Sequence, residues 1–224
     1  MRLHGAVVVI TGASSGIGAA TALAFARRGA RLELGARRLE KLNTVAEKCR
    51  KAGSNNAGVG WMGRAHEMPE EKVDELIATN LKGVINTTNS ALPWMLERRR
   101  GVIINVASVV GFRPSPYSAV YSATKHAVVG FSHALRGELS GTGVKVCVVY
   151  PGVTGGTEFF KAPDQPIGFQ YPAWWVANLV VRTARYPRRD AMVFPLRLAD
   201  VAEPVFGGLM DHAIGEVRRR SVPD

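Results

Sequence analysis

The sequence predicts an α/β domain, a doubly wound parallel sheet with helices on both faces, running over residues 1–224 as a single domain. Short β-branched runs alternate with longer helical stretches along most of the chain. Several of those runs are continuously apolar, as in strands buried on both faces. A chain of 224 residues with 46% apolar and 21% charged residues also has the material for a sizeable core. That composition excludes intrinsic disorder and a disulfide-stapled miniprotein.

Each element follows from a local pattern. Ala6 to Ile10 is a β-branched run closed by Thr11-Gly12 and reads as a strand covered on both faces. A helix is expected over Ala19 to Arg28, with Ala22, Phe25 and Ala26 on one face and Gly29 as its stop. Arg31 to Ala36 gives a second strand, and Leu39, Leu42, Val45 and Ala46 set a helical period through Arg38 to Lys51. Pro69 opens a long helix whose stripe of Val73, Leu76, Ile77, Leu81, Val84 and Ile85 leads toward Arg100. Val102 to Val106 is another buried strand, Tyr117 to Ser140 a long helix, and Val144 to Val149 a strand closed by Pro151-Gly152. Val176 to Arg185 reads as a helix, Ala191 to Phe194 as a last strand, and Leu196 to Arg220 as a loosely helical tail interrupted by Pro204 and Gly207-Gly208.

The 29 basic and 18 acidic residues leave a net charge of +11, so an anionic ligand, nucleic acid or membrane surface has to be weighed. The runs Arg98-Arg99-Arg100 and Arg218-Arg219-Arg220 fall at a helix end and in the tail, without interleaved aromatic residues. A solvated surface is the better reading of both, and no nucleic-acid partner is expected. Cys49 and Cys147 are the only cysteines, and Cys147 sits in an apolar strand-like run, which suits a reducing compartment without a disulfide framework. The apolar stretch near the N-terminus is too short for a signal peptide or a membrane span, so the expectation is a cytoplasmic protein.

Thr11-Gly12-Ala13-Ser14-Ser15-Gly16-Ile17-Gly18 lies between the first strand and the first helix. There, unpaired backbone N–H groups at a helix N-terminus can meet the phosphates of a dinucleotide. Gly12 permits the tight turn, Gly16 lets backbone approach a pyrophosphate, and Gly18 lets the helix pack against the strand. Ser14, Ser15 and Ile17 complete the expected cradle. A plain turn is the competing reading, and the flanking strand and helix favour the cofactor. About 18 residues past Gly18, where a carboxylate would bind an NAD(H) ribose, the chain has Ala36-Arg37-Arg38. Arginine pairs with a 2′-phosphate, so NADP(H) is the expected cofactor, with Arg37 ahead of Arg38 because it is nearer the strand end. A solvated helix start is the alternative for both.

Tyr121-Ser122-Ala123-Thr124-Lys125 puts a phenol and an ammonium four residues apart on one helical face, where the cation favours phenolate. The pair alone is a weak signal. Ser108 strengthens it, because it follows a parallel strand and ligands of open α/β sheets bind beyond the carboxyl ends of strands.

With these residues the sequence resembles the short-chain dehydrogenase/reductase family over nearly the whole chain. The resemblance rests on Thr11 to Gly18, Asn55-Asn56-Ala57-Gly58, Asn80 within Ala78-Thr79-Asn80-Leu81, Ser108, Tyr121 with Lys125, and Pro151-Gly152. It implies a Rossmann-like fold and hydride transfer between NADP(H) and a carbonyl or secondary alcohol. Tyr121 would then be the general acid/base and Ser108 the group holding the substrate oxygen. Lys125 would lower the Tyr121 pKa and bind the nicotinamide ribose, and Asn80 would hold a water of the proton relay. Asn56, Ala57, Gly58, Tyr121, Lys125, Pro151, Gly152, Val153 and Thr157 join the cofactor contacts. No metal is implied, and the two long helices resemble those that build homodimers or homotetramers.

Two departures stand out. Something like 35 to 40 residues of the family pattern, a strand, a helix and the start of a further strand, are absent between Ser54 and Asn55. The expectation is a segment missing from the chain as read, with a true deletion as the alternative. After Pro151-Gly152, Gly156 stands where the family often has threonine, with Thr157 next. Ala162 to Tyr171 suits either a lid or a plain surface loop. Val109, Val110, Phe112, Trp174 and Trp175 point either to an apolar substrate or to the core. The rival functions are a catalytically silent NADP(H)-binding scaffold and, behind it, a basic nucleic-acid-binding protein.

Overall fold

β-Branched residues open the first strand of the chain, and the glycine-rich turn after it leads straight into helix. The computed structural model describes residues 2–36, 38–50, 64–155 and 170–193. Their contacts divide the chain into two compact units: residues 1–58, 153–159 and 170–188, and the remainder.

In the first unit β1 (Val7–Thr11) pairs in parallel with β2 (Arg31–Gly35), in register from Val7 opposite Arg31 to Thr11 opposite Gly35. The crossover is α1 (Gly16–Ala26), which begins before the expected Ala19 because Gly16, Ile17 and Gly18 form its first turn. It ends where Gly29 turns the chain at φ +70°, with Gly29 N–H on the Ala26 carbonyl at 2.7 Å. Ala22 and Phe25 are buried as expected, and α6 (Ala173–Arg185), whose Val176, Ala177 and Val180 are buried, packs along α1. Helix α6 begins three residues ahead of the expected Val176, capped by Pro172. Helix α2 (Leu39–Arg50) follows β2, and the two-residue strands β5 (Thr154–Gly155) and β6 (Tyr171–Pro172) pair in parallel.

One expectation fails here. Strand β1 is not covered on both faces: Val7 and Val9 are 63% and 59% exposed, and exposure alternates along the strand. Among the described residues β1 has a single strand neighbour, β2, so one face of the pair stays open.

The second unit carries a three-stranded parallel sheet, β3 (Gly101–Val106), β4 (Val144–Tyr150) and β7 (Asp190–Met192), in the order β3-β4-β7. Gly101 lies opposite Val144 and Val106 opposite Val149. Helix α5 (Ala119–Glu138) is the crossover between β3 and β4. Two apolar clusters hold this layer, one of Ile103, Leu135, Leu139, Val144 and Val146, the other of Ala107, Val128, Val148 and Tyr150. Cys147 is 1% exposed in β4, as an inert core thiol should be. Asn105, next to last in β3, donates to Ser132 Oγ of α5 at 2.8 Å, and Ser132 in turn donates to the Val128 carbonyl.

The single helix expected from Pro69 to Arg100 is α3 (Glu70–Ile77), a wider π turn (Ala78–Lys82) and α4 (Gly83–Glu97). Glu70 and Glu71 complement the dipole of the first turn. The arginine run after α4 reverses the chain into β3: Arg99 takes φ 47° and donates to the Gly141 carbonyl, and Arg98 lies over Trp94. Strand β7 ends at Met192, short of the expected Phe194, which lies outside the described residues, as do Ser54 to Gly58, Thr157, most of the segment from Ala162 to Tyr171, and the tail from Leu196.

Candidate active site

Beyond the end of β3 the chain is pinned to β4 by Ala107 N–H on the Val149 carbonyl (2.9 Å) and Val109 N–H on the Pro151 carbonyl (3.0 Å). Ser108, between these anchors, caps the short 3-10 turn Val109–Gly111 by accepting from Val110 N–H at 3.3 Å. A Cβ on Gly111 would lie 2.8 Å from the Lys125 carbonyl oxygen, so only glycine lets this turn sit so close to α5. The approach sets the Ser108 side chain beside the Tyr121 phenol.

Tyr121 lies in the first turn of α5 and Lys125 in the next, both half-buried with their polar ends enclosed. Lys125 Nζ donates to the Val106 carbonyl at 3.2 Å and stands 5.7 Å from the centroid of the Tyr121 ring. Asn80, 3% exposed in the π turn, donates from Nδ2 to Thr124 Oγ1 at 3.3 Å. Thr124 Oγ1 donates to the Tyr121 carbonyl at 2.8 Å. All four expected catalytic residues are therefore in one unit: Ser108 and Lys125 flank Tyr121, and Asn80 joins through Thr124.

The electrostatics differ from the expectation in one respect. Burial pushes the Tyr121 phenol above its ordinary value, and the Ser108 side chain beside it works the other way without cancelling this. Burial also lowers the Lys125 ammonium from 10.5 to about 8. A net lowering of the Tyr121 pKa by Lys125 is thus not what this environment produces. At neutral pH the pair is a phenol beside an ammonium, which suits proton donation.

In the other unit Gly12 and Gly16 take φ +76° and +56°, left-handed backbone that favours glycine. Gly12 and Ala13 N–H both reach the Gly35 carbonyl, tying the turn to the end of β2. Ser15 is the N-cap of α1, followed by Gly16, Ile17 and the buried Gly18. Arg38 reaches back to this turn, donating to Ser14 Oγ at 3.1 Å and to Ser15 Oγ at 3.0 Å. Arg37, the preferred candidate from sequence, lies outside the described residues, as do Asn56, Ala57, Gly58 and Thr157. Pro151 and Gly152 follow β4, and the Val153 carbonyl accepts from Tyr171 N–H. Trp174 and Trp175 are 57% and 41% exposed, which removes the core reading for both. Among the described residues no group of three His, Cys, Asp or Glu side chains could hold a metal ion, and no helix is long and apolar enough to cross a membrane.

The sequence model described as "short chain dehydrogenase" matches residues 6–55 and 54–166, two blocks that meet at Ser54–Asn55. The chain belongs to the short-chain dehydrogenase family. Among its relatives in that family is the 3-oxoacyl-[acyl-carrier-protein] reductase FabG of Thermotoga maritima, 35% identical over 198 residues, covering 74% of this chain and 80% of that protein. The NADP-dependent 3-hydroxy acid dehydrogenase YdfG of Salmonella typhi is 33% identical over 221 residues, covering 77% of this chain and 89% of the relative. A short-chain dehydrogenase from Sphingobium yanoikuyae, solved in complex with NADPH, superposes with a TM-score of 0.79 at 26% identity, covering 92% of this chain and 95% of the other. Short-chain dehydrogenases are oxidoreductases on a Rossmann-like α/β fold, and the parallel strands and crossover helices described above are this chain's version of it.

Two residues of the site escaped the sequence reading. Thr124 was legible only as the polar residue three positions after Tyr121. Gly111 carried no signal, because its need for a missing side chain arises from α5, remote in sequence.

Proposed function

We propose that the protein is an NADP(H)-dependent reductase or dehydrogenase that interconverts a carbonyl and a secondary alcohol, with Tyr121 as general acid/base. The observation that carries this reading is the placing of Ser108 and Lys125 beside the Tyr121 phenol at the carboxyl end of β3, with Lys125 Nζ 5.7 Å from the centre of its ring.

The residues of the glycine turn fit a dinucleotide. Gly12 and Gly16 take positive φ at the mouth of α1, and Arg38 places a guanidinium on Ser14 and Ser15. A ribose 2′-phosphate near that cation would be favoured, and Ala36-Arg37-Arg38 contains no carboxylate to repel it. Gly12, Ser14, Ser15, Gly16, Ile17, Gly18 and Arg38 would hold the adenosine and pyrophosphate end, while Lys125, Pro151, Gly152 and Val153 would serve the nicotinamide end. When bound, the nucleotide supplies or accepts the hydride.

The protein's own part is proton delivery and alignment. Tyr121, protonated at neutral pH, gives its proton to the oxygen of a carbonyl as that oxygen gains negative charge, and takes it back in the alcohol direction. Ser108 Oγ holds the same oxygen within reach of the phenol. Lys125 stabilises the phenolate left behind, since an ammonium nearby favours that charge. Asn80 completes the set and holds a water on the path by which Tyr121 is reprotonated. A homodimer or homotetramer is the assembly proposed, and a small carbonyl compound the substrate class.

NADPH oxidation measured across aldehydes, ketones, quinones, steroids and 3-oxoacyl thioesters tests the activity. Tyr121→Phe is expected to bind NADPH and lose at least ~100-fold in turnover. Near-normal turnover in that variant would dismiss the acid/base role, and cofactor binding without turnover on any carbonyl class would favour a silent scaffold.

A further inference from the structure

Thr124 has no part in the proton transfer proposed above, yet it stands between two residues that do. It is 3% exposed, as is Asn80. Its hydroxyl has one proton, and that proton goes to the Tyr121 carbonyl. What it presents to Asn80 is therefore a lone pair, which can only receive a donor, and it receives Nδ2–H. The amide is thereby held with its nitrogen toward α5 and Oδ1 on the opposite side. Asn80 sits in the π turn Ala78–Lys82, where the regular hydrogen-bond ladder of the helix is interrupted.

We propose that Thr124 is a positioning residue. Its hydroxyl couples the π turn that carries Asn80 to the turn of α5 that carries Tyr121, and sets which end of the Asn80 amide faces away from α5. The proposal rests on Tyr121 being the acid/base. Farther along the same helix, Ser132 receives the Asn105 amide and donates to the Val128 carbonyl in the same manner. That second pair joins β3 to α5 without touching Tyr121, so it separates a structural loss from a catalytic one.

The test compares steady-state kinetics, thermal unfolding and the pH profile of kcat for Thr124→Val, Thr124→Ala, Thr124→Ser and Ser132→Ala, with Tyr121→Phe as reference. Thr124→Val and Thr124→Ala are expected to lower kcat by about 10- to 100-fold, the scale of a misplaced reacting group, with KM for NADPH changed less than about 2-fold. Thr124→Ser should keep kcat within about 3-fold by retaining the hydroxyl. Ser132→Ala should lower the unfolding temperature and leave the kcat–pH profile in place. Because Thr124 acts through Asn80, Thr124→Val combined with Asn80→Ala should lose no more than Asn80→Ala alone. Should Thr124→Val fail to fold, Thr124→Ala keeps helix propensity and carries the comparison. Wild-type kcat in Thr124→Val and Thr124→Ala, or additive losses in the double variant, overturns the proposal while Tyr121→Phe remains inactive. An active Tyr121→Phe overturns the reading beneath it.

Discussion

Gly111 and Lys125 meet so closely that a single methyl group would not fit between them: a Cβ on Gly111 would stand 2.8 Å from the Lys125 carbonyl oxygen and 3.0 Å from the Lys125 Cβ. The obstacle is largely backbone, which cannot swing aside. Gly111→Ala is therefore expected to push the turn after Ser108 away from α5, costing about 1 to 3 kcal/mol of stability. The same shift draws Ser108 away from Tyr121, and turnover should fall at least ~10-fold. Unfolding curves and kcat on one preparation check both.

The lowered Lys125 pKa gives a pH dependence of definite sign. Its ammonium titrates at about 8 in the native protein against 10.5 ordinarily. Above pH 8 Lys125 loses the charge that supports the phenolate, so NADPH-dependent reduction should decline as pH rises through that value, and Lys125→Met should lack the inflection. For stability the sign is opposite. Between about pH 8 and 10.5 the unfolded chain holds a proton that the folded chain has released, so this group makes stability rise with pH across that window. Chemical denaturation at pH 7 and pH 9.5, for wild type and Lys125→Met, measures the difference.

Arg38 lies on the two serine hydroxyls of the glycine turn, where a 2′-phosphate would be read. Arg38→Ala is expected to raise KM for NADPH at least ~10-fold, the scale of one charge-assisted contact, with kcat nearly unchanged. KM for NADH should move little. Equal effects on both nucleotides would remove Arg38 from phosphate recognition.

The exposed Val7 and Val9 of β1, together with a family match that breaks into blocks at Ser54–Asn55, bear on chain length. We expect the native protein to carry a further segment at that junction, one that would add strands beside β1 and cover those valines. Peptide mapping of the protein from its source decides the matter: residues between Ser54 and Asn55 are expected, and a peptide in which Asn55 directly follows Ser54 would establish a true deletion.

Much of the site was legible because its residues sit where a local pattern changes. Gly12 and Gly16 mark the passage from strand to helix, Ser108 closes a strand, and Tyr121 and Lys125 share a helix face. Thr124 was missed because hydrophobic periodicity reports burial and says nothing of hydrogen-bond partners, and its partner Asn80 lies 44 residues away. The π turn was missed for a related reason, since one wider turn hardly disturbs an apolar stripe running from Val73 to Ile85. The open face of β1 shows the opposite failure. A run of valines states what a strand would prefer to touch, and only the neighbouring chain decides whether anything is there.

Asn105 turns the geometry of β3 into a condition on chemistry. Sliding β3 by one residue against β4 would swing its amide to the other side of the sheet, leaving the amide and Ser132 each without the other. The same slip would carry Ser108 off Tyr121. A misaligned strand is thus penalised at Asn105 before it can present a defective site, so the sheet proofreads the reaction centre it supports.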